Sequence, residues 1–145
     1  MAEKRFSELP SATPMTGNEV TPVVQSSTTV KTPVKDISKL GYQEVISDAT
    51  GARTLSATDR GAWLRLTAAT TLTIPSNASI ELQVGETFNG IQASAGAVTF
   101  TPDSGVTINV PSDYISKTRA QGSAWFIIKV AADEWDLLGD LEVAP

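Results

Sequence analysis

Residues 122–139 read G-S-A-W-F-I-I-K-V-A-A-D-E-W-D-L-L-G, and both halves of the stretch are written for strands. Residues 124–130 are β-branched and aromatic with no helix caps. Residues 135–138 are short and apolar and are closed by Gly139. The four residues between them, Ala131 to Glu134, suit a hairpin link, so the stretch predicts two antiparallel strands. Side chains alternate along a strand, which puts Phe126, Ile128 and Val130 on one face and Trp125 and Ile127 on the other. Both faces are apolar, as expected of a central strand or of one whose outer face meets another subunit.

Working back from this hairpin, the β pattern holds to about residue 41. Strands are expected at residues 42–46, 54–57, 62–67, 71–74, 80–84, 87–93, 97–101 and 106–110, separated by Gly, Pro, Asp, Ser and Asn turns. In residues 62–67, Trp63 and Arg65 oppose Leu64 and Leu66. Residues 87–93 are expected to pair with 97–101 across Ser94, Ala95 and Gly96. Residues 116–121 (S-K-T-R-A-Q) are the longest polar stretch and read as a loop, and residues 140–145 read as a tail. No amphipathic helix of three turns appears after residue 41, so the expected fold is all-β, a small antiparallel β-sandwich or barrel-like domain.

Residues 1–40 have a different texture. They carry Pro10, Pro14, Pro22 and Pro33, a polar Gln-Ser-Ser-Thr-Thr cluster, and isolated apolar residues that include Phe6, Leu9, Val23 and Val24. Proline fixes its own φ and keeps the preceding residue extended. An extended segment with scattered apolar anchors suits an arm that orders when laid along a partner. The division is therefore an attachment arm at 1–40 and a β-domain at 41–145. A single helical turn or strand end is expected at residues 34–40.

Composition narrows the function. The 145 residues contain no Cys and no His, which excludes disulfides, thiolate zinc sites, Ser-His-Asp triads and His-ligated metals. The net charge of −5 is concentrated in the body, where residues 41–145 hold six Lys/Arg against twelve Asp/Glu. Such a surface repels phosphate, so no nucleic-acid partner is expected. No apolar run approaches a membrane span, so no membrane partner is expected and the chain reads as soluble and made in the cytosol. Glu81, Glu86, Asp103 and Asp113 lie in or beside strands and turns, but nothing in their spacing pairs two of them as a glycosidase requires. The acids from Asp133 to Glu142 lack the spacing of a calcium loop. Gly85, Gly90, Gly96 and Gly105 read as turn or strand-bend glycines, not as a phosphate loop. No catalytic, cofactor or metal residue is assigned.

Two stretches together resemble structural proteins of tailed-bacteriophage virions. The segment F-S-E-L-P-S-A-T-P-M-T-G-N-E-V-T-P-V-V-Q is similar to an attachment segment of such proteins, matching at Phe6, Leu9, Pro10, Gly17, Glu19, Pro22, Val23, Val24 and Gln25. In the body, T-L-T-I-P-S-N-A-S, G-A-V-T-F-T-P-D-S-G-V-T-I-N and W-D-L-L-G-D-L resemble a phage structural β-domain. The resemblance implies a homotrimeric capsid decoration, or cement, protein on the virion surface that binds the major capsid protein through Phe6, Leu9, Pro10, Pro22, Val23 and Val24. The alternative it leaves is a head- or tail-fibre module that binds a host receptor or glycan. Trp63, Trp125, Phe126 and Trp135 are the expected core or subunit-interface residues, and exposed indoles among them would suit a sugar ring.

Overall fold

The computed structural model describes Val20–Gln25, Thr28–Pro33 and Gln43–Pro145. The chain divides into two units between Tyr42 and Gln43. In the first, β1 (Val20–Gln25) and β2 (Thr28–Pro33) form an antiparallel hairpin, with Val20 opposite Pro33 and Gln25 opposite Thr28. The extended arm expected here is thus folded back on itself over these residues. Pro22, Val23 and Val24 lie in β1. Phe6, Leu9 and Pro10 lie outside the described residues, as does the turn expected at 34–40.

The second unit is built from β3 (Glu44–Asp48), β4 (Ala52–Thr54), β5 (Ala62–Leu66), β6 (Thr70–Ile74), β7 (Thr87–Gln92), β8 (Val98–Pro102), β9 (Thr107–Asn109), β10 (Tyr114–Thr118), β11 (Ala124–Ala131), β12 (Glu134–Gly139) and β13 (Leu141–Val143). It is all-β, as expected, and forms two packed sheets. One has the order β3-β5-β7-β11-β12-β9 and the other β13-β10-β8-β6-β4. The sheets are mixed, which departs from the expected antiparallel arrangement. From β3 to β8 the chain crosses between the sheets at every step, so that β3, β5 and β7 run parallel in one layer and β4, β6 and β8 run parallel in the other.

This winding corrects the hairpin expected across Ser94-Ala95-Gly96. Here β7 pairs with β5 and β11, β8 pairs with β6 and β10, and residues 94–96 form an arch from one sheet to the other. The arches stack. The Thr70 amide donates to the Ala97 carbonyl at 3.0 Å and the Thr71 amide to the Gly51 carbonyl at 2.9 Å. Small residues permit the approach, because a Cβ on Gly96 would come within 2.5 Å of the Ala69 Cβ.

The terminal hairpin forms as the sequence predicts. Trp125 faces Gly139 and Lys129 faces Trp135, with Ala131 and Glu134 closing the turn. Trp125, Ile127, Trp135 and Leu137 point inward and join Leu64, Leu66, Leu72, Ile74, Phe88, Val98 and Phe100 in one core. The Trp125 ring meets Phe100 edge-on, with centroids 5.2 Å apart at 74°.

Three further expectations are corrected. Residues 80–84 are not a strand. The neighbouring edges are occupied, since β6 lies between β4 and β8 and β7 lies between β5 and β11, and Leu82 is buried as part of the core. Residues 116–118 belong to β10 instead of a loop. Their polarity is absorbed internally: the buried Thr118 hydroxyl donates to Gln92 Oε1 at 2.5 Å and accepts from the Val98 amide at 2.8 Å. Replacing Thr118 by valine should leave both groups unpaired and cost about 1–3 kcal/mol, read as a midpoint shift in urea with unchanged slope. Lastly, the expected tail contains β13, which pairs with β10 and buries Leu141.

A polar cluster ties the start of the second unit together. Asp48 accepts hydrogen bonds from the Thr50 hydroxyl and amide, both at 2.7 Å, and from Arg53 at 2.8 Å. Chiefly through the Thr50 hydroxyl, these bonds hold the Asp48 carboxyl below its ordinary value of 3.8. A depressed folded value means that ionised Asp48 stabilises the fold above its unfolded value. That contribution is lost as pH falls through the folded one. Thr50→Val should therefore flatten the acid limb of the stability profile below pH 3.8, as measured by thermal melts across pH.

Candidate functional site

The exposed face of the six-stranded sheet carries the apolar surface that neither the core nor the second sheet covers. Strand register builds it. Val45 pairs with Trp63, Trp63 with Asn89, Asn89 with Phe126, and Phe126 with Leu138. Five strands thus place one side chain each in a single transverse row. Neighbours in β11 and β7 extend the apolar surface, with Ile128 and Val130 on one side and Ile91 on the other.

Alternation explains why these residues face outward. In four of the strands the adjacent positions are core residues: Leu64 beside Trp63, Phe88 beside Asn89, Trp125 and Ile127 beside Phe126, and Leu137 beside Leu138; in β3, Ile46 beside Val45 is packed against the core. The row remains accessible, with Val45 60% exposed, Leu138 49% and Phe126 36%. Large apolar side chains gathered in this way are the surface feature most often associated with binding.

Trp63, Asn89, Ala124, Phe126, Leu138 and Gly139 line a shallow, open depression of about 400 Å³. Gly139 shapes its floor. Its φ is +141°, and a Cβ there would sit 2.4 Å from the Ala124 carbonyl oxygen. A side chain at this position would both strain the backbone and collide with the β11 main chain at Ala124 and Trp125. Asn89 supplies the polar group of the row, and Gln43 Nε2 donates to its Oδ1 at 3.4 Å.

Charges flank the apolar row. Arg65, one alternation beyond Trp63 in β5, is exposed. Toward the far edge, Asn109 Nδ2 donates to Glu134 Oε1 and Asp136 Oδ1, both at 2.9 Å, tying β9 to β12. At the other end of β12, Asp140 accepts two bonds from Arg119 at 2.7 and 2.9 Å and one from Ser123 at 2.7 Å. The Arg119 guanidinium in particular holds the Asp140 carboxyl below its ordinary value. Among the described residues, no three acids are placed to hold a metal ion together.

The tryptophans expected at core or interface therefore separate. Trp125 and Trp135 are core residues of the hairpin, while Trp63 and Phe126 stand side by side with Asn89 on the outer face. Trp63, Trp125 and Phe126 touch the same depression, Trp125 from beneath. The sequence reading missed Val45, Asn89 and Leu138. Leu138 was recoverable, because a strand with Trp135 and Leu137 inside must turn Leu138 out. Val45 and Asn89 join the row only through the parallel pairing of β3, β5 and β7, which no local pattern announces. No family model, no curated protein and no solved structure matches this chain.

Proposed function

We propose that this chain is a structural virion protein that decorates a phage capsid, with residues 1–40 as the attachment arm and the β-domain as the assembling body. The observation that carries the body's role is the outward row Val45, Trp63, Asn89, Phe126 and Leu138 across five strands. A closed oligomer would cover such a face, and several copies bound together would multiply many weak arm contacts through effective concentration. The virion assignment rests on the resemblance of the arm and of the strand-and-turn segments described above. In this reading the partners are the major capsid protein and further copies of the chain. The action is mechanical: it clamps neighbouring shell subunits and involves no turnover of substrate.

Two variants test the two halves separately. Deleting residues 1–33 should abolish attachment to capsids while leaving the β-domain folded. Unchanged attachment would remove the arm from the account. Replacing Leu138 by aspartate should leave folding nearly intact, since the side chain is half exposed, and should shift the sedimentation of the purified protein to a smaller species. The stoichiometry against the major shell protein in purified particles, by quantitative mass spectrometry, distinguishes a lattice-wide coat from a minor vertex component. The depression beside Trp63 and Phe126 favours one second reading, a fibre module binding a glycan by stacking on these rings. A glycan array on the assembled protein separates the two.

A further inference from the structure

Lys129 occupies an inward position of β11 where its neighbours in alternation, Trp125 and Ile127, are core residues, and it is itself buried. Its Nζ donates to Asn77 Oδ1 at 2.6 Å and to the Leu82 carbonyl at 2.8 Å, with the Trp135 ring centre 5.7 Å away. Among the described residues no carboxylate comes within ion-pair distance of it. A buried ammonium held only by neutral oxygens and an aromatic face is a costly arrangement. Converting its nitrogen to a neutral amide would remove that cost.

The partner atoms are held in place for such a conversion. Asn77 lies in the loop after β6, and its amide donates to Asp133 Oδ1 at 2.6 Å, pinning the loop to the β11–β12 turn. The Asn77 side-chain carbonyl is thereby fixed against the lysine nitrogen. The nearest acid along the paired strand is Glu86. The Lys129 amide donates to the Glu86 carbonyl at 3.0 Å, which makes the two residues cross-strand neighbours; the Glu86 carboxyl is held below its ordinary value chiefly by Arg60, with the charge on Lys129 adding least. One oxygen of Glu86 is held by Arg60 at 2.8 Å, while the other, Oε2, is buried without a hydrogen-bond partner. This buried, unpartnered carboxylate oxygen lies beyond 4.0 Å from Nζ, a gap that one water spans in a proton transfer.

We propose that Lys129 and Asn77 condense into an intramolecular amide bond, with Glu86 carrying the proton. Glu86 takes a proton from Nζ, and the free amine attacks Cγ of Asn77. The Nζ–Cγ bond forms, Glu86 returns its proton to Nδ2, and the Cγ–Nδ2 bond breaks to release ammonia; the second proton that Nζ sheds on becoming an amide passes by way of Glu86 to that ammonia, which departs as ammonium. No oxidant or cofactor enters the balance. The remaining N–H of the new amide still faces the Leu82 carbonyl. The link joins the loop after β6 to the terminal hairpin across 52 positions of sequence. In a chain without cysteine it would be a covalent staple.

Peptide mapping of the purified, denatured protein decides the matter. Residues 66–116 contain no Lys or Arg, so trypsin should release residues 66–117 joined to residues 120–145, with cleavage blocked after the acylated Lys129. The intact mass should be lower than the sequence mass by one ammonia. Intact mass alone is insufficient, because Asn89-Gly90 can also lose ammonia by forming a succinimide. Separate peptides 66–117 and 120–129, with or without that loss, would overturn the proposal. Asn77→Ala and Lys129→Met should each abolish the joined peptide, and Glu86→Gln should slow its appearance in freshly refolded protein. Joining at an undiminished rate in Glu86→Gln would remove Glu86 from the mechanism.

Discussion

Replacing Trp125 by alanine is expected to cost about 3–5 kcal/mol of folding free energy, enough to bring a domain of this size close to unfolding. The indole is buried between the two sheets and meets Phe100 edge-on at 5.2 Å. Its Nε1 is buried without a hydrogen-bond partner, so truncation forfeits apolar burial and packing while leaving no orphaned partner behind. The opposing strand has already been adapted to the ring. Gly90 pairs with Trp125, and a Cβ at Gly90 would lie 2.6 Å from the indole and 2.2 Å from the Leu64 carbonyl oxygen. Gly90→Ala should therefore also destabilise the domain. The Trp125→Ala, Gly90→Ala double variant should not recover, because the carbonyl that blocks the new methyl is backbone. Urea midpoints with unchanged slopes measure both. A loss below about 1 kcal/mol for Trp125→Ala would contradict the packing described here, since that is the range of surface substitutions.

Replacing Arg53 by methionine should be comparably severe, at about 3–5 kcal/mol. The Arg53 guanidinium bridges Asp48 and Asp59, with Asp59 fully buried at the end of a 3-10 turn, Ala57–Asp59. Asp59 also accepts from the Ser56 amide at 3.0 Å and the Ser56 hydroxyl at 3.2 Å. Methionine keeps most of the aliphatic volume but leaves a buried carboxylate without its countercharge, and that imbalance is the source of the cost. Pairing the change with Asp59→Asn removes the stranded charge. The double variant should then be more stable than Arg53→Met alone, and the cycle should return a coupling energy of about 1–3 kcal/mol. Equal stability of the single and double variants would mean that water reaches Asp59.

The all-β body and the division of its strands into two faces were legible because alternation is local. Trp63 and Arg65 against Leu64 and Leu66, and the turn between β11 and β12, follow from spacing alone. Strand partners were not legible where the chain arches. Ser94-Ala95-Gly96 has the composition of a hairpin turn and of an arch alike. What separates them is whether Gly96 must pass close to Ala69 in another turn of the winding. The polar stretch 116–121 was misread for a related reason: Thr118 is polar by composition, yet Gln92 and Val98 satisfy it inside the fold.

The sequence by itself determined the class of this protein, which residues share a face of each strand it correctly located, and the chemistry that a chain without histidine or cysteine forgoes. Those properties depend on residue type and on a period of two, which are fixed before any strand meets another. Only the tertiary structure decided that β3, β5 and β7 run parallel, and hence that Val45, Trp63, Asn89, Phe126 and Leu138 share one row. It alone brought Lys129 against Asn77 and Glu86. Such meetings join residues far apart in the chain, and their register is set by the simultaneous packing of both sheets, for which no single stretch carries the information.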